Sequence, residues 1–405
     1  MTSVQPVQTA RPAAGGKTHL SALDGLRGLA ILGVLLFHTG HLPGGFLGVD
    51  LFFTLSGYLI TDLLLREVRS TGGVSLVAFW GRRVRRLVPA LAAMLVGVTV
   101  LVWVVGPPDL VRTTLSDGPW VQANLANWHL LAESASYWDR FGSPRVFEHL
   151  WSIAVEEQFY LVWPLLLLII VRCGRRRLDS RVLMLAGVVS AVSLLLMIML
   201  VDPADPTRVY TGTDTRAFSL VLGAMVATRP VRALLARVTG RWAGVVTGVL
   251  VAGIGTAWAL VDGDGSLWLY EGGLFALSAA AALLIGLCVQ TPDSAVAKAL
   301  AWRPARWLGL VSYSLYLWHW PVIVLLSPQR TGLTGWAWTA VVFAVSIGVA
   351  AVSKYLIEDP IRFRAGWAKG RTGLLAFVAL MIGLAVLWLA LPAPAPVTID
   401  LTRLG

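Results

Sequence analysis

The chain has 405 residues, 57% of them hydrophobic and only 14% charged, with 18 tryptophans and a formal net charge of +11. That apolar fraction exceeds what a globular core uses, so the composition excludes a soluble domain and points to an all-α polytopic membrane protein. In a soluble chain the basic excess would suggest nucleic acid. Here it falls in clusters between apolar stretches and reports orientation, so no nucleic-acid partner is expected.

Residues 1–19 are rich in Pro, Gln, Thr and Ala and read as a disordered cytoplasmic tail without a cleavable signal peptide. Residues 20–391 form one membrane domain, and 392–405 a short extracytoplasmic tail. Apolar spans of transmembrane length occur near 22–40, 48–65, 88–106, 150–171, 182–201, 214–229, 242–261, 269–290, 308–327, 336–356 and 372–391, about eleven in all. The stretch 116–133 is aromatic but carries Asn, Gln and His. With the N-terminus inside and this stretch not spanning, 24 Lys and Arg fall in inside segments and 7 in outside ones. Letting it span would put the later basic clusters outside, against the positive-inside rule, so it is expected to be a re-entrant or interfacial helix. The expected location is the plasma membrane, with the C-terminus outside. Cys173 and Cys288 fall near span ends without CxxC or ligand spacing, so neither a disulfide framework nor a metal–thiolate site is expected.

The first span contains Arg27 and His38, eleven residues apart. Eleven steps of about 100° return a helix to nearly the same face, and the two side chains lie roughly 16 Å apart along the axis. An ionisable group at membrane depth is a functional candidate by default; the blander alternative is a snorkelling arginine and a satisfied histidine. The second span opens GVDLFFTLSGY, which places Asp50 near the outer mouth, as a cavity residue or a helix N-cap, and Ser56 deeper. In FWGRRVRRLVP, Arg83 and Arg86 are three apart on one helical face and can grip a phosphate, although such a cluster also serves as a plain positive-inside anchor.

The fourth span opens HLWSIAVEEQFY. Glu156 and Glu157 cannot both face lipid cheaply, and Ser152, Glu156 and Tyr160 share one face, so Glu156 is expected to point inward at about the depth of His38. A carboxylate beside a histidine equips it as a general base toward a hydroxyl. Asp214 and Arg216 open the sixth span, and Ser312, Tyr316 and His319 share a face of the ninth, His319 standing behind the reacting group. His38 and His41 at i, i+3 have no evident third ligand, so no metal is expected. GxSxG, GxxxxGK[ST], HExxH and CxxC are all missing from the sequence.

In order, LDGLRGLAILGVLLFH, GVDLFFTLSGYLI, FWGRRVRRLVP, HLWSIAVEEQFYLVWP, DTRAFSLVLGAMVA, SYSLYLWHWPV and YLIEDPIRF resemble the acyltransferase-3 family of integral-membrane acyltransferases, which O-acylate sugars and cell-envelope polymers. The Arg27/His38 spacing and the Arg83/Arg86 pair match the two hallmark motifs, and Glu156 matches the acidic residue of WSLxxE, here WSIAVE. The resemblance implies an acyl-CoA donor, acetyl-CoA foremost, entering from the cytoplasm, with His38 at the reacting centre. Many members carry an esterase-like domain after the last span, whereas this sequence reads as a stand-alone form with a PAPAP tail.

The resulting expectation is a transmembrane O-acyltransferase. Arg27, Arg83 and Arg86 hold the donor; His38, supported by Glu156, deprotonates an acceptor hydroxyl, by direct transfer or through an acyl-histidine. Asp50, Ser56, Ser152, Arg216, Tyr316 and His319 surround the reacting groups. The acceptor is a sugar or envelope glycan, or alternatively a secondary metabolite such as a macrolide. A proton-coupled transporter using His38 and Glu156 as a relay is the competing class, and a non-catalytic scaffold the third.

Overall fold

The computed structural model describes residues 21–138, 145–238, 242–263 and 265–395; the expected tail 1–19 and residues 396–405 lie outside them. Every regular element among the described residues is helical. In chain order the principal helices are α1 (Ser21–His38), α2 (Gly48–Thr71), α3 (Leu76–Val105), α4 (Pro108–Gln122), α5 (Ala126–Ala132), α6 (Trp151–Arg172), α7 (Leu178–Leu200) and α8 (Thr207–Thr211). They are followed by α9 (Thr213–Val226), α10 (Arg229–Val238), α11 (Ala243–Leu260), α12 (Gly273–Gln290), α13 (Ala295–Leu300), α14 (Arg303–Leu325), α15 (Pro328–Thr331), α16 (Gly335–Val352) and α17 (Gly370–Ala390).

Ten helices among the described residues are long and apolar enough to cross a membrane, and α9 with α10 makes an eleventh if that bent pair counts as one span. The sixth span, expected near 214–229, corresponds to α9. Its helix stops at Val226, and the chain resumes as α10 after a 71° bend. Pro230 near the start of α10 suits a helix beginning there, since a proline's missing N–H has no partner in a first turn. The bend brings Arg232 to Asp62 in the second half of α2 (Nη2 to Oδ1, 2.6 Å). The stretch 116–133 falls on the end of α4 and on α5, neither of which is long enough to span. Asn124, in the left-handed region at φ 57°, turns the chain between them. Gln122 fastens the pair to α17, donating to Met381 O (2.8 Å) and accepting from Trp388 Nε1 (2.7 Å).

Lipid tails give helices little hydrophobic reason to associate, so close backbone contact between small residues takes over. Along α1 and α14, a Cβ on Gly28 would lie 2.0 Å from the Ala305 carbonyl oxygen and one on Gly309 1.8 Å from that of Asp24. Between α2 and α9, a Cβ on Gly57 would meet the Leu220 oxygen at 1.7 Å. Helices α1, α2, α9 and α14 thus form the tight centre, while α7, α11 and α17 present rows of exposed apolar side chains such as Val249, Leu374 and Ile382.

Proline positions shape the interior. Pro164 in α6 leaves the Tyr160 carbonyl without its i+4 donor, and Trp80 Nε1 takes that place at 3.1 Å. Pro321 in α14 frees the Leu317 carbonyl in the same way, and His149 Nε2 donates to it at 3.2 Å. Beyond α16 the helix widens to a π-helix over Ser353–Glu358 and again over Pro360–Arg364. There the buried Lys354 reaches Glu358 (3.0 Å) and Asp359 (2.7 Å).

Candidate active site

Helices α1, α2, α3, α6 and α14 enclose a cavity of about 690 Å³, measured out to its open side. Arg27 enters from α1 and donates from Nε to Ser312 Oγ (3.3 Å). Arg83 and Arg86 enter from α3, one turn apart as their spacing requires. The Arg83 guanidinium lies 5.0 Å from the Tyr160 ring centroid, within cation–π distance. Arg86 Nε is buried with no hydrogen-bond partner among the described residues.

Opposite these cations, α6 contributes Ser152, Glu156 and Tyr160, all three on the cavity wall as their four-residue spacing implies. Ser56 Oγ donates to Glu156 Oε1 (3.0 Å), and the Tyr160 hydroxyl lies 2.9 Å from Ser56 Oγ and 3.2 Å from Glu156 Oε2. These bonds hold the carboxylate inside the arginine-lined chamber. Tyr316 closes the far wall: its hydroxyl donates to the His149 carbonyl (2.9 Å) and accepts from Ser152 (2.7 Å).

His38 is not among the residues that line this cavity. Its Nδ1 is 3.0 Å from His319 Nε2, the two rings are stacked at 26°, and Trp320 lies 4.7 Å away. The expected support of His38 by Glu156 is therefore corrected. Glu156 lies deeper than expected: Ser152 meets Tyr316, one turn before His319 on α14, and Glu156 lies a further turn on, bonded to Ser56 in the chamber of Arg27, while His319 takes the position beside His38. His41 does not join them, since it stacks on Trp336 and bonds Thr339.

Asp50 and Arg216 also depart from expectation. Asp50 is 2% exposed and Arg216 0%, and neither lines the cavity. Asp50 Oδ1 accepts from Arg216 Nη2 (2.8 Å), Ser219 and Ser278 (both 3.1 Å), so it ties α2 to α9 and α12. No side-chain cap bond forms at the start of α2, because the carboxylate faces α9 rather than the backbone. Asp214 instead pairs with Arg208 (2.7 Å).

Three residues here escaped the reading of the sequence as site groups: Tyr160, Tyr313 and His149. Tyr160 shared the stripe of Glu156, so a signal existed. Tyr313, whose hydroxyl donates to Leu87 O (2.9 Å), and His149 are placed by contacts between distant segments that spacing cannot reveal.

Residues 20–355 match the model of the Acyltransferase domain family, Acyl_transf_3. The chain is 35% identical over 357 residues to the peptidoglycan O-acetyltransferase OatA of Listeria monocytogenes serovar 1/2a, covering 85% of this chain and 56% of that protein. It is 34% identical over 352 residues to the O-acetyltransferase OatA of Staphylococcus aureus (strain NCTC 8325 / PS 47), covering 85% and 57%. The YrhL protein of Bacillus subtilis (strain 168) is 39% identical over 356 residues, 85% of this chain and 55% of that one. The chain thus spans about half the length of the curated relatives it matches. No solved structure matches. The match takes in α1 through the whole of α16 and every residue of the arginine-lined chamber, and on that ground the chain belongs to the acyltransferase-3 family.

Proposed function

We propose that this protein is a transmembrane O-acyltransferase that accepts an acyl group, acetyl foremost, from cytoplasmic acyl-CoA and passes it to a hydroxyl of a cell-envelope glycan. The observation that carries this reading is the convergence of Arg27, Arg83 and Arg86 on one chamber, with His38 at the other end of the same helix as Arg27. Guanidinium groups bind phosphate in pairs of charge-assisted hydrogen bonds, and a nucleotide-bearing thioester supplies both the phosphates and the reach. The names of the relatives support a glycan acceptor.

In this reading the acceptor oxygen attacks the thioester carbonyl as its proton passes to His38. The new C–O bond forms, the C–S bond breaks, and the departing thiolate of coenzyme A takes up a proton, so transfer needs no redox partner. Glu156 acts within the chamber, where it balances part of the arginine charge and orders Ser56 and Tyr160.

Arg83→Ala and Arg86→Ala are expected to raise KM for acetyl-CoA about 10- to 100-fold each, the loss of a charge-assisted bond of about 1.5–3 kcal/mol, with a smaller fall in kcat. Lysine recovers only part of it, because an ammonium lacks the planar fork. The check is the transfer of radiolabelled acetyl-CoA to peptidoglycan fragments in membranes, alongside membrane yield. Full activity in both lysine variants would reduce the arginines to topology anchors.

We further propose that the chamber opens to the cytoplasm and that the N-terminus is cytoplasmic. The basic span ends support this by gathering on one side: Arg69 bonds Asp179 (2.6 Å), Arg82 reaches Glu67 (3.2 Å), and Arg175 lies against Gly72. Reporter fusions are expected to place Arg175 inside; an outside signal there would reverse the orientation.

A further inference from the structure

We infer that His319 is a positioning residue that fixes the proton of His38 on Nδ1 and thereby presents Nε2 of His38 as the basic nitrogen. The inference rests on the proposed role of His38 and identifies which ring atom performs it.

A backbone carbonyl oxygen can only accept a hydrogen bond. His319 Nδ1 lies 2.7 Å from the Tyr316 carbonyl oxygen one turn back on α14, so Nδ1 carries a hydrogen. A neutral imidazole has one N–H, which leaves Nε2 of His319 as an acceptor. That nitrogen is 3.0 Å from His38 Nδ1, so His38 Nδ1 is the donor and its own lone pair resides on Nε2. A doubly protonated His319 would reverse the order, forcing His38 Nδ1 to accept. His319 is 0% exposed, and among the described residues neither of its side-chain hydrogen bonds goes to a carboxylate, so the charge would be buried without a carboxylate bonded to it.

The neighbours fix the ring planes. His149 presents its ring to His319 at 85° with centroids 5.3 Å apart, anchored by its bond to the carbonyl freed by Pro321. Trp320 covers His38 and is itself held by its Nε1 bond to Arg145 O (2.8 Å). The His319, Trp320, Pro321 run therefore sets the partner, the cover and the vacant carbonyl in consecutive positions. A histidine whose tautomer is fixed by a hydrogen bond at its other nitrogen is the arrangement that makes imidazole an oriented base.

The test combines a spectroscopic and a kinetic arm on the full chain. In the wild-type protein, labelled with ¹⁵N-histidine and assigned by difference against His38→Ala, solid-state NMR is expected to show the His38 proton on Nδ1; a proton on Nε2 overturns the inference. His319→Leu, which removes the acceptor, is expected to lower kcat for acetyl transfer from acetyl-CoA to peptidoglycan fragments about 10²-fold while KM for acetyl-CoA stays within about two-fold. His319→Gln, whose amide oxygen can accept from His38, is expected to recover most of that loss. Wild-type kcat in His319→Leu, or no recovery in His319→Gln of unchanged thermal stability, overturns it. An active His38→Ala protein would instead overturn the reaction site, with the NMR arm still reporting on His319.

Discussion

His38→Ala is expected to lower acyl transfer about 10²- to 10⁴-fold, the span associated with loss of a general base. The substitution removes one imidazole at the last residue of α1, its hydrogen bond to His319 and its contact with Trp320. A hydrogen bond of this kind contributes about 1 kcal/mol, so the variant is expected to fold, insert and melt close to wild type. Binding of acetyl-CoA should also persist, because His38 is not on the wall of the chamber that holds Arg27, Arg83 and Arg86. The combination is diagnostic: KM for acetyl-CoA near wild type, kcat nearly abolished. Turnover in membranes with radiolabelled acetyl-CoA measures both. Retention of more than about a tenth of wild-type kcat would remove His38 from the chemistry. A transporter using His38 as a proton relay predicts the reverse, with no labelled acetyl group reaching an acceptor even in the wild type.

Along-chain information survived folding well in this protein, and between-helix information did not. The spans were legible because length and apolarity are properties of single segments, and the charge count ruled 116–133 out as a span for the same reason. The inward face of α6 was legible because Ser152, Glu156 and Tyr160 recur every four residues. What the sequence lacked was the relative height of neighbouring helices and the angle at which one faces another. Glu156 lies deeper than His38, in the chamber of Arg27, where it meets Ser56, a hundred residues away in the chain, while His38 meets His319 at a separation of 281. The bend after Val226, which lets Arg232 reach Asp62, is likewise a relation between helices that the hydropathy of one segment does not report. Asp50 misled for a related reason: an acidic residue in a first turn looks like a cap, and only the position of α9 reveals that it meets an arginine.

That arginine is the basis of the second large effect. Asp50→Ala is expected to destabilise the protein by about 3–5 kcal/mol, since it leaves the guanidinium of Arg216 buried without its counterion. The site has little capacity to compensate. Arg216 is 0% exposed, its Nε and Nη1 already lack hydrogen-bond partners among the described residues, and what remains is its position 4.8 Å from the Tyr210 ring centroid and 5.6 Å from that of Phe53. Ser219 and Ser278 would lose the carboxylate they share and keep only their bond to each other, loosening α2 from α9 and α12. Replacing both charges, as in Asp50→Leu with Arg216→Met, is expected to recover much of the loss, because a well-packed apolar pair avoids the desolvation cost that the ion pair must offset. The two single variants and the double variant form a cycle whose coupling term should be large and favourable. Thermal unfolding in detergent reads the stabilities, and acetyl transfer from acetyl-CoA reads the function. The structural assignment requires the single variants to lose stability first and activity only with it. A normally stable Asp50→Ala protein that cannot transfer acetyl groups would show instead that the carboxylate acts on the reaction itself.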